Sequence, residues 1–258
     1  MSDNGLVLRR RYDKLLVEVY ETRDDMGRSA AEQGSKRILE VLEEKGSARL
    51  IFAAAPSANE FLANLCQVKE IDWSKITVFH MDEYIGLPTG APQLFSNFLK
   101  RAIFDKVNPG TVHLIDSTND PEKECQRYAD LLNEAPIDIV FMGIGENGHL
   151  AFNDPPVADF NDPFDVKIVE LDEVCRNQQV NDGCFATIDD VPTHAITLTI
   201  PRLLRSDRQF CIVPGPTKTA AVSKTLYGPI STECPASVLR NQENCILFLD
   251  KAAYGKEV

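Results

Sequence analysis

An α/β fold is predicted: a single open, mostly parallel sheet covered by helices on both faces, Rossmann-like and three-layered. Three observations predict it. Short apolar strand candidates recur along the chain, and amphipathic segments of helical period lie between them. Polar clusters at 56–57, 82–83, 145–149 and 215–218 each follow the C-terminal end of a predicted strand. Open parallel sheets bind their ligands in the crevice outside those ends, so four segments are expected to converge on one pocket.

The elements follow in chain order. Met26, Ala30, Gly34, Ile38, Val41 and Leu42 share one helical face, and Gly46 is placed to end that helix. Residues 50–55 form a short apolar strand. Ser57 and Glu60 have the spacing of a capping box for a helix through Phe61, Leu62 and Leu65. A second strand is expected over 76–79, helices over 95–104 and 121–132, and a strand over 137–142. Three more strands are expected over 195–200, 210–213 and 245–249, with a helix over 217–226 between the last two. No repeat, low-complexity segment or Gly/Ser linker divides the 258 residues, so one domain over 1–258 is expected.

Composition excludes several function classes. The chain is 43% hydrophobic and 26% charged, an ordinary globular balance. A net charge of −12 argues against nucleic acid or an anionic membrane as partner, because the global field repels both. An anionic substrate would need a local cluster of donors. The apolar runs fall far short of the ~20 residues of a membrane helix, and the N-terminus lacks a secretory apolar core. Seven cysteines without a CxxC pair point to reduced thiols in a cytoplasm rather than disulfides or zinc. The sequence leaves a homo-oligomer open.

FMGIGENGHLAFNDPP, residues 141–156, carries the strongest functional signal. Gly143, Gly145 and Gly148 spell GxGxxG after a strand, yet Pro155 and Pro156 leave little room for the helix that a dinucleotide site requires. The glycines instead allow a tight turn and close backbone approach to a ligand. His149, beside this turn, can take and give a proton near neutral pH. Asp154 could orient the ring or act with it as a base, or simply cap a turn. In FHMDEYIGLP, Asp82 and Glu83 are flanked by apolar residues; desolvation would raise the pKa of one toward that of a working base, and Asp82 is the candidate. Glu83 beside it is a candidate substrate contact. No His or Cys is evidently arranged to complete a metal site there.

Lys218, near a helix start after Gly215, is either a surface lysine or an anion-binding group. Ser57 either caps its helix or donates to the same anion. Arg176 is a further donor candidate without a motif behind it. His194 precedes its strand, at the opposite edge of the sheet, which suits a structural role. His80 and His113 carry no signal.

FHMDEYIGLP, MGIGENGHLAFNDP, PTHAITLTI and the GxxK at 215–218 resemble, in order and spacing, the glucosamine-6-phosphate deaminase (isomerase) family over about 51–249. The related 6-phosphogluconolactonases share the fold, but typically carry DGH then Ala-Ser and Phe-Pro where this chain has NGHLAFNDP. The resemblance implies metal-free aldose–ketose isomerisation with loss of ammonia, glucosamine 6-phosphate giving fructose 6-phosphate. By it Asp82 is the base moving a proton from C2 to C1, His149 opens the pyranose ring and Asp154 supports it. Asn147 falls where relatives have Asp or Asn, and Lys218 at a phosphate ligand. No redox cofactor or metal is implied. Three positions depart from the family pattern: the first loop reads AAAPSAN, Gly183 stands where a phosphate-binding arginine is usual, and Asp154 replaces a glutamate. Losing the arginine removes a bidentate clamp, for which Arg176 is a candidate substitute. The departures bear on the substrate more than on the reaction type. The rivals are a lactone hydrolase on the same scaffold, with His149 activating water, and a non-catalytic sugar-phosphate sensor.

Overall fold

A computed structural model describes residues 5–256. An eight-stranded sheet runs through it, in the order β1-β2-β11-β10-β7-β3-β4-β6. Its strands are β1 (Leu6–Tyr12), β2 (Leu15–Tyr20), β3 (Ala48–Phe52), β4 (Ile76–His80), β6 (Thr111–His113), β7 (Ile139–Met142), β10 (Arg208–Val213) and β11 (Cys245–Asp250). Only the β1–β2 hairpin is antiparallel; every other pairing is parallel. The helices are α1 (Arg23–Lys45), α2 (Asn59–Leu65), α3 (Phe95–Leu99), α4 (Asp105–Val107), α5 (Pro121–Asn133), α6 (Glu173–Asn181), α7 (Ile200–Leu204), α8 (Thr219–Tyr227) and α9 (Lys251–Tyr254).

The central strands are apolar at nearly every position because both faces are covered, and successive side chains enter opposite cores. Leu50, Phe52, Phe141, Phe210 and Phe248 join the core under α1 and α2. Ile51, Val140, Met142, Cys211, Val213 and Leu249 join the one under α5 and α8. Four phenylalanines form a ladder across β3, β7, β10 and β11, with ring centroids 5.1, 5.5 and 6.0 Å apart. Gly34 of α1 lies against it; a Cβ there would sit 2.9 Å from the Phe141 ring, so this position needs its small residue. Gly46 ends α1 in the left-handed conformation, φ 76°, with its N–H on the Leu42 carbonyl.

The main sheet has the α/β order expected, but it is not the whole β structure. A second, antiparallel sheet of order β5-β9-β8 is built from β5 (Asp82–Tyr84), β8 (Val166–Glu170) and β9 (His194–Leu198). The strand expected over 195–200 therefore pairs outside the parallel sheet. His194 begins β9 and is exposed, so it does not sit at the opposite edge of the parallel sheet as expected. The expected helix over 95–104 begins as α3 and continues as a wider π turn over Lys100–Phe104. The Ser57–Glu60 capping box does not form. Pro56–Ala58 winds as a 3-10 turn, α2 starts only at Asn59, and Glu60 instead pairs with Arg23 at 2.7 Å.

The connections place the crevice. From β3 the chain moves to β4 and β6 on one side, whereas from β7 it reaches β10 and β11 on the other. The loops leaving β3 and β7 thus diverge between adjacent parallel strands, the topological switch point where such sheets bind ligands. The two sheets are tied together just there. Thr197, opposite Asp82 in the β5–β9 pairing, accepts a hydrogen bond from the Phe152 N–H at 3.0 Å. Asn153 donates to the Leu198 and Leu150 carbonyls, both at 2.8 Å.

Candidate active site

Residues from every expected cluster meet around one cleft at the switch point: Ser57 after β3, Asp82 on β5, Gly145 and His149 after β7, and Lys218 after β10. Asp154 and Asn147 lie behind the His149 ring and do not line the cleft, nor do Glu83, Gly148 and Arg176.

Asp82 is buried, and no donor among the described residues reaches its carboxylate. Burial, then the neighbouring Glu83 and Asp154 charges, push its pKa well above the ordinary aspartate value. Glu83 faces the other way. Its carboxylate accepts the N–H groups of Tyr84, Phe95 and Ser96 at 3.1, 3.0 and 2.9 Å, anchoring the start of α3. Burial raises the Glu83 pKa, and those N–H groups oppose the rise.

The His149 ring is fixed on two sides. Its Nδ1 lies 2.8 Å from Asn147 Oδ1 and 2.9 Å from Asp154 Oδ1. Both oxygens can only accept, so Nδ1 carries a proton. Asn147 Oδ1 also takes the His149 N–H, and its amide donates to Asp154 at 2.9 Å. Burial works against the Asp154 charge, but His149, Asn147 and the Asp172 N–H outweigh it and hold its pKa below the usual range. Gly145 packs flat on the imidazole: a Cβ there would lie 2.1–2.3 Å from three ring atoms. The turn around His149 is strained at Ala151, which adopts φ 50°.

Lys218 is buried at the N-terminal end of α8, where burial lowers its pKa against the pull of Asp182 and Glu146. It is the one cation lining the cleft among the described residues. Arg176, the candidate for the absent arginine, does not line the cleft; its Nη2 donates to the Ile188 and Val191 carbonyls at 2.7 and 2.9 Å. Gly148, φ 89°, supports the turn through its carbonyl, which accepts the Ala236 N–H. Two lining residues, Gln178 and Gln179, have no precursor in the sequence reading. Their helix α6 is polar and weakly periodic, and the pair of adjacent amides is the only cue it offers.

His149, Asp154 and Cys175 bring ligand atoms within 4.8 Å of one another, the grouping among the described residues that could hold a metal. It lies behind the imidazole, not at Asp82 and Glu83. A larger groove, about 1250 Å³, lies between α1 and the strands β2, β10 and β11. Its buried Glu18 is already taken by Arg9, Tyr20 and Gln33, leaving no free reactive group in that carboxylate.

The arrangement places an imidazole, a desolvated carboxylate and a buried ammonium around one cleft. A family model described as glucosamine-6-phosphate isomerases/6-phosphogluconolactonase matches residues 21–159. The glucosamine-6-phosphate deaminase of Bacillus cytotoxicus is 36% identical over 226 residues, covering 86% of this chain and 83% of that protein. That of Bacillus cereus is 36% identical over 224 residues, with the same coverage. A solved monomeric glucosamine-6-phosphate deaminase superposes with a TM-score of 0.84 at 29% identity, covering 93% of this chain and 98% of that one. The 6-phosphogluconolactonase of Thermotoga maritima shares the fold, with a TM-score of 0.75 at 20% identity over 92% of this chain and 100% of that one.

Proposed function

The chain belongs to the glucosamine-6-phosphate isomerase/6-phosphogluconolactonase family, and on that premise we propose that it converts glucosamine 6-phosphate and water to fructose 6-phosphate and ammonia. The observation that carries the deaminase reading is Asp82: a buried carboxylate with no donor among the described residues, facing the same cleft as the His149 ring. A carboxylate so placed is a base in need of a substrate proton.

The chemistry divides between the two groups. His149 accepts the O1 proton of the closed sugar through Nε2 and returns a proton to the ring oxygen, giving the open-chain aldehyde. Asp154, held ionised, stabilises the imidazolium formed in between and keeps the ring oriented. Asp82 then removes the C2 proton, which the adjacent carbonyl acidifies, while the substrate's own ammonium passes a proton to O1, leaving a neutral enolamine. Return of the proton held by Asp82 to C1 gives an iminium at C2; water adds there, its proton moves to the nitrogen, and the carbinolamine collapses to the ketone with loss of ammonia as ammonium. Lys218 and Ser57 bind the phosphate and hold the sugar for both transfers. Asp82 and His149 carry the ring-opening and C2-to-C1 transfers, so chelation should leave the rate unchanged. Seven free thiols support a reducing, cytoplasmic setting.

The test measures ammonia release from glucosamine 6-phosphate beside hydrolysis of 6-phosphogluconolactone. Ammonia release without lactone hydrolysis is expected. Lactone hydrolysis alone would replace the reading with that of a hydrolase, and tight sugar-phosphate binding without turnover of either would replace it with that of a sensor.

A further inference from the structure

Asp82 is not the only buried polar side chain facing the cleft that makes no hydrogen bond to a described residue. Gln179, in the last turn of α6, is 7% exposed and lines the same cleft as Asp82, His149 and Lys218. Its backbone carbonyl takes the Cys184 N–H, but its side-chain amide makes no hydrogen bond with any described residue. The adjacent Gln178 is fully committed: Oε1 accepts the Glu146 N–H at 2.7 Å and Nε2 reaches Asp182 at 3.4 Å. The Gln179 amide atoms are not sealed off from the cleft, so they stand open to water or to a ligand group that enters it.

The surroundings identify the ligand group. Lys218 is the cleft's one cation among the described residues, and the acids it feels are Asp182 and Glu146. Both belong with α6: Asp182 ends the helix, and Glu146 is bonded to Gln178. Gln179, near that end of α6, lines the same cleft as the ammonium. An anion entering there meets one positive charge partly offset by two negative ones. Neutral N–H donors must supply the rest. Gly183, four positions beyond Gln179, contributes no side chain, and a Cβ there would meet nothing within 4 Å.

We propose that the Gln179 carboxamide is a specificity-determining residue that donates to the substrate phosphate beside Lys218. The anion is then held by one cation and one neutral amide. This rests on the sugar-phosphate reading above and names how that site recognises its charged end. A neutral donor adds direction without adding charge, so the site selects a phosphate by geometry more than by field.

Calorimetry with inorganic phosphate and with glucose 6-phosphate tests this on the parent, Gln179→Met and Gln179→Glu, with steady-state kinetics on glucosamine 6-phosphate alongside. Loss of a hydrogen bond to a charged group should weaken both probes about tenfold in Gln179→Met, and the added charge of Gln179→Glu should weaken them further. KM should rise in parallel while kcat stays within about threefold. Unchanged phosphate affinity in both variants, or a fall in kcat at constant affinity, would overturn the assignment. Thermal melts of both variants separate a folding defect from a binding one: weakened binding with a parental melt supports the contact, and weakening only in proportion to unfolding refutes it. Failure of the parent to release ammonia would sink the enzymatic reading, whereas the phosphate titrations judge Gln179 alone.

Discussion

Gly145→Ala is a substitution of one methyl group that should disable the imidazole without removing it. Gly145 has an ordinary negative φ, so alanine adds no backbone strain. The new Cβ would lie 2.1 Å from His149 Cε1, 2.2 Å from Nε2 and 2.3 Å from Nδ1, where ordinary contact begins at 3.4 Å. The ring must retreat by more than an ångström. It is pinned by Asn147 at 2.8 Å and Asp154 at 2.9 Å, so retreat stretches both bonds. Hydrogen bonds to charged groups are worth about 1.5–3 kcal/mol net, and a misplacement of about 1 Å costs roughly 100-fold in rate. We expect kcat/KM for ammonia release from glucosamine 6-phosphate to fall by about two orders of magnitude, close to 2.7 kcal/mol of transition-state stabilisation. The measurement belongs well below the melting temperature, with circular dichroism confirming the fold. A second measurement isolates the cause: in a His149→Ala background the added methyl has no ring to strike and should cost little more. A Gly145→Ala enzyme within about threefold of the parent would refute the reasoning, as would full additivity with His149→Ala.

Asp82→Asn should abolish exchange of the C2 proton with solvent, followed by NMR in deuterium oxide, while glucose 6-phosphate still binds. The same variant should melt higher at neutral pH. Burial and like charge raise the folded pKa of Asp82, so its ionisation opposes folding at every pH above the unfolded value near ~3.9, and a neutral isostere removes that cost; a lower melting temperature would contradict this. Because the base works only as a carboxylate, kcat/KM should fall with acidification through the raised pKa, placing the acid limb above the ordinary aspartate range. A limb at that ordinary value would mean that Asp82 is solvated in the working enzyme. Lys218→Ala should raise KM for the phosphorylated sugar far more than it lowers kcat, and an unchanged KM would remove Lys218 from the phosphate site.

The parallel sheet was legible because its strands are apolar on both faces and separated by helices with clear stripes, as in α1, where Met26, Ala30 and Ile38 are all buried. The convergence of Ser57, Asp82, His149 and Lys218 followed from the sheet itself, since each sits just beyond a strand's carboxyl end. What escaped was structure whose stability is tertiary. β5 is three residues long, and β8 buries only Val166 and Val169 of its five, too little pattern to distinguish either from a loop. The exposed arginines of β1 hide a hairpin that β2 closes. α6 escaped for the same reason, and with it Gln178 and Gln179. Ser57 and Glu60 had the right spacing for a cap, but Pro56 favoured a tighter turn that moved the helix start past them. Glu83 looked equivalent to Asp82 in sequence; their different environments arise only because α3 begins against one of them.

Asp82 and His149 ride on different plates of the molecule, one on the antiparallel sheet and one on the rim of the parallel sheet, riveted by Thr197 and Asn153. The gap a sugar must bridge is therefore a joint tolerance, set by how two separately built pieces are fastened. A change in fastening, such as Thr197→Val, could alter turnover without removing a single group that touches the sugar. Relatives with the same reactive side chains can in this way run at different speeds, differing only in how tightly the seam is drawn.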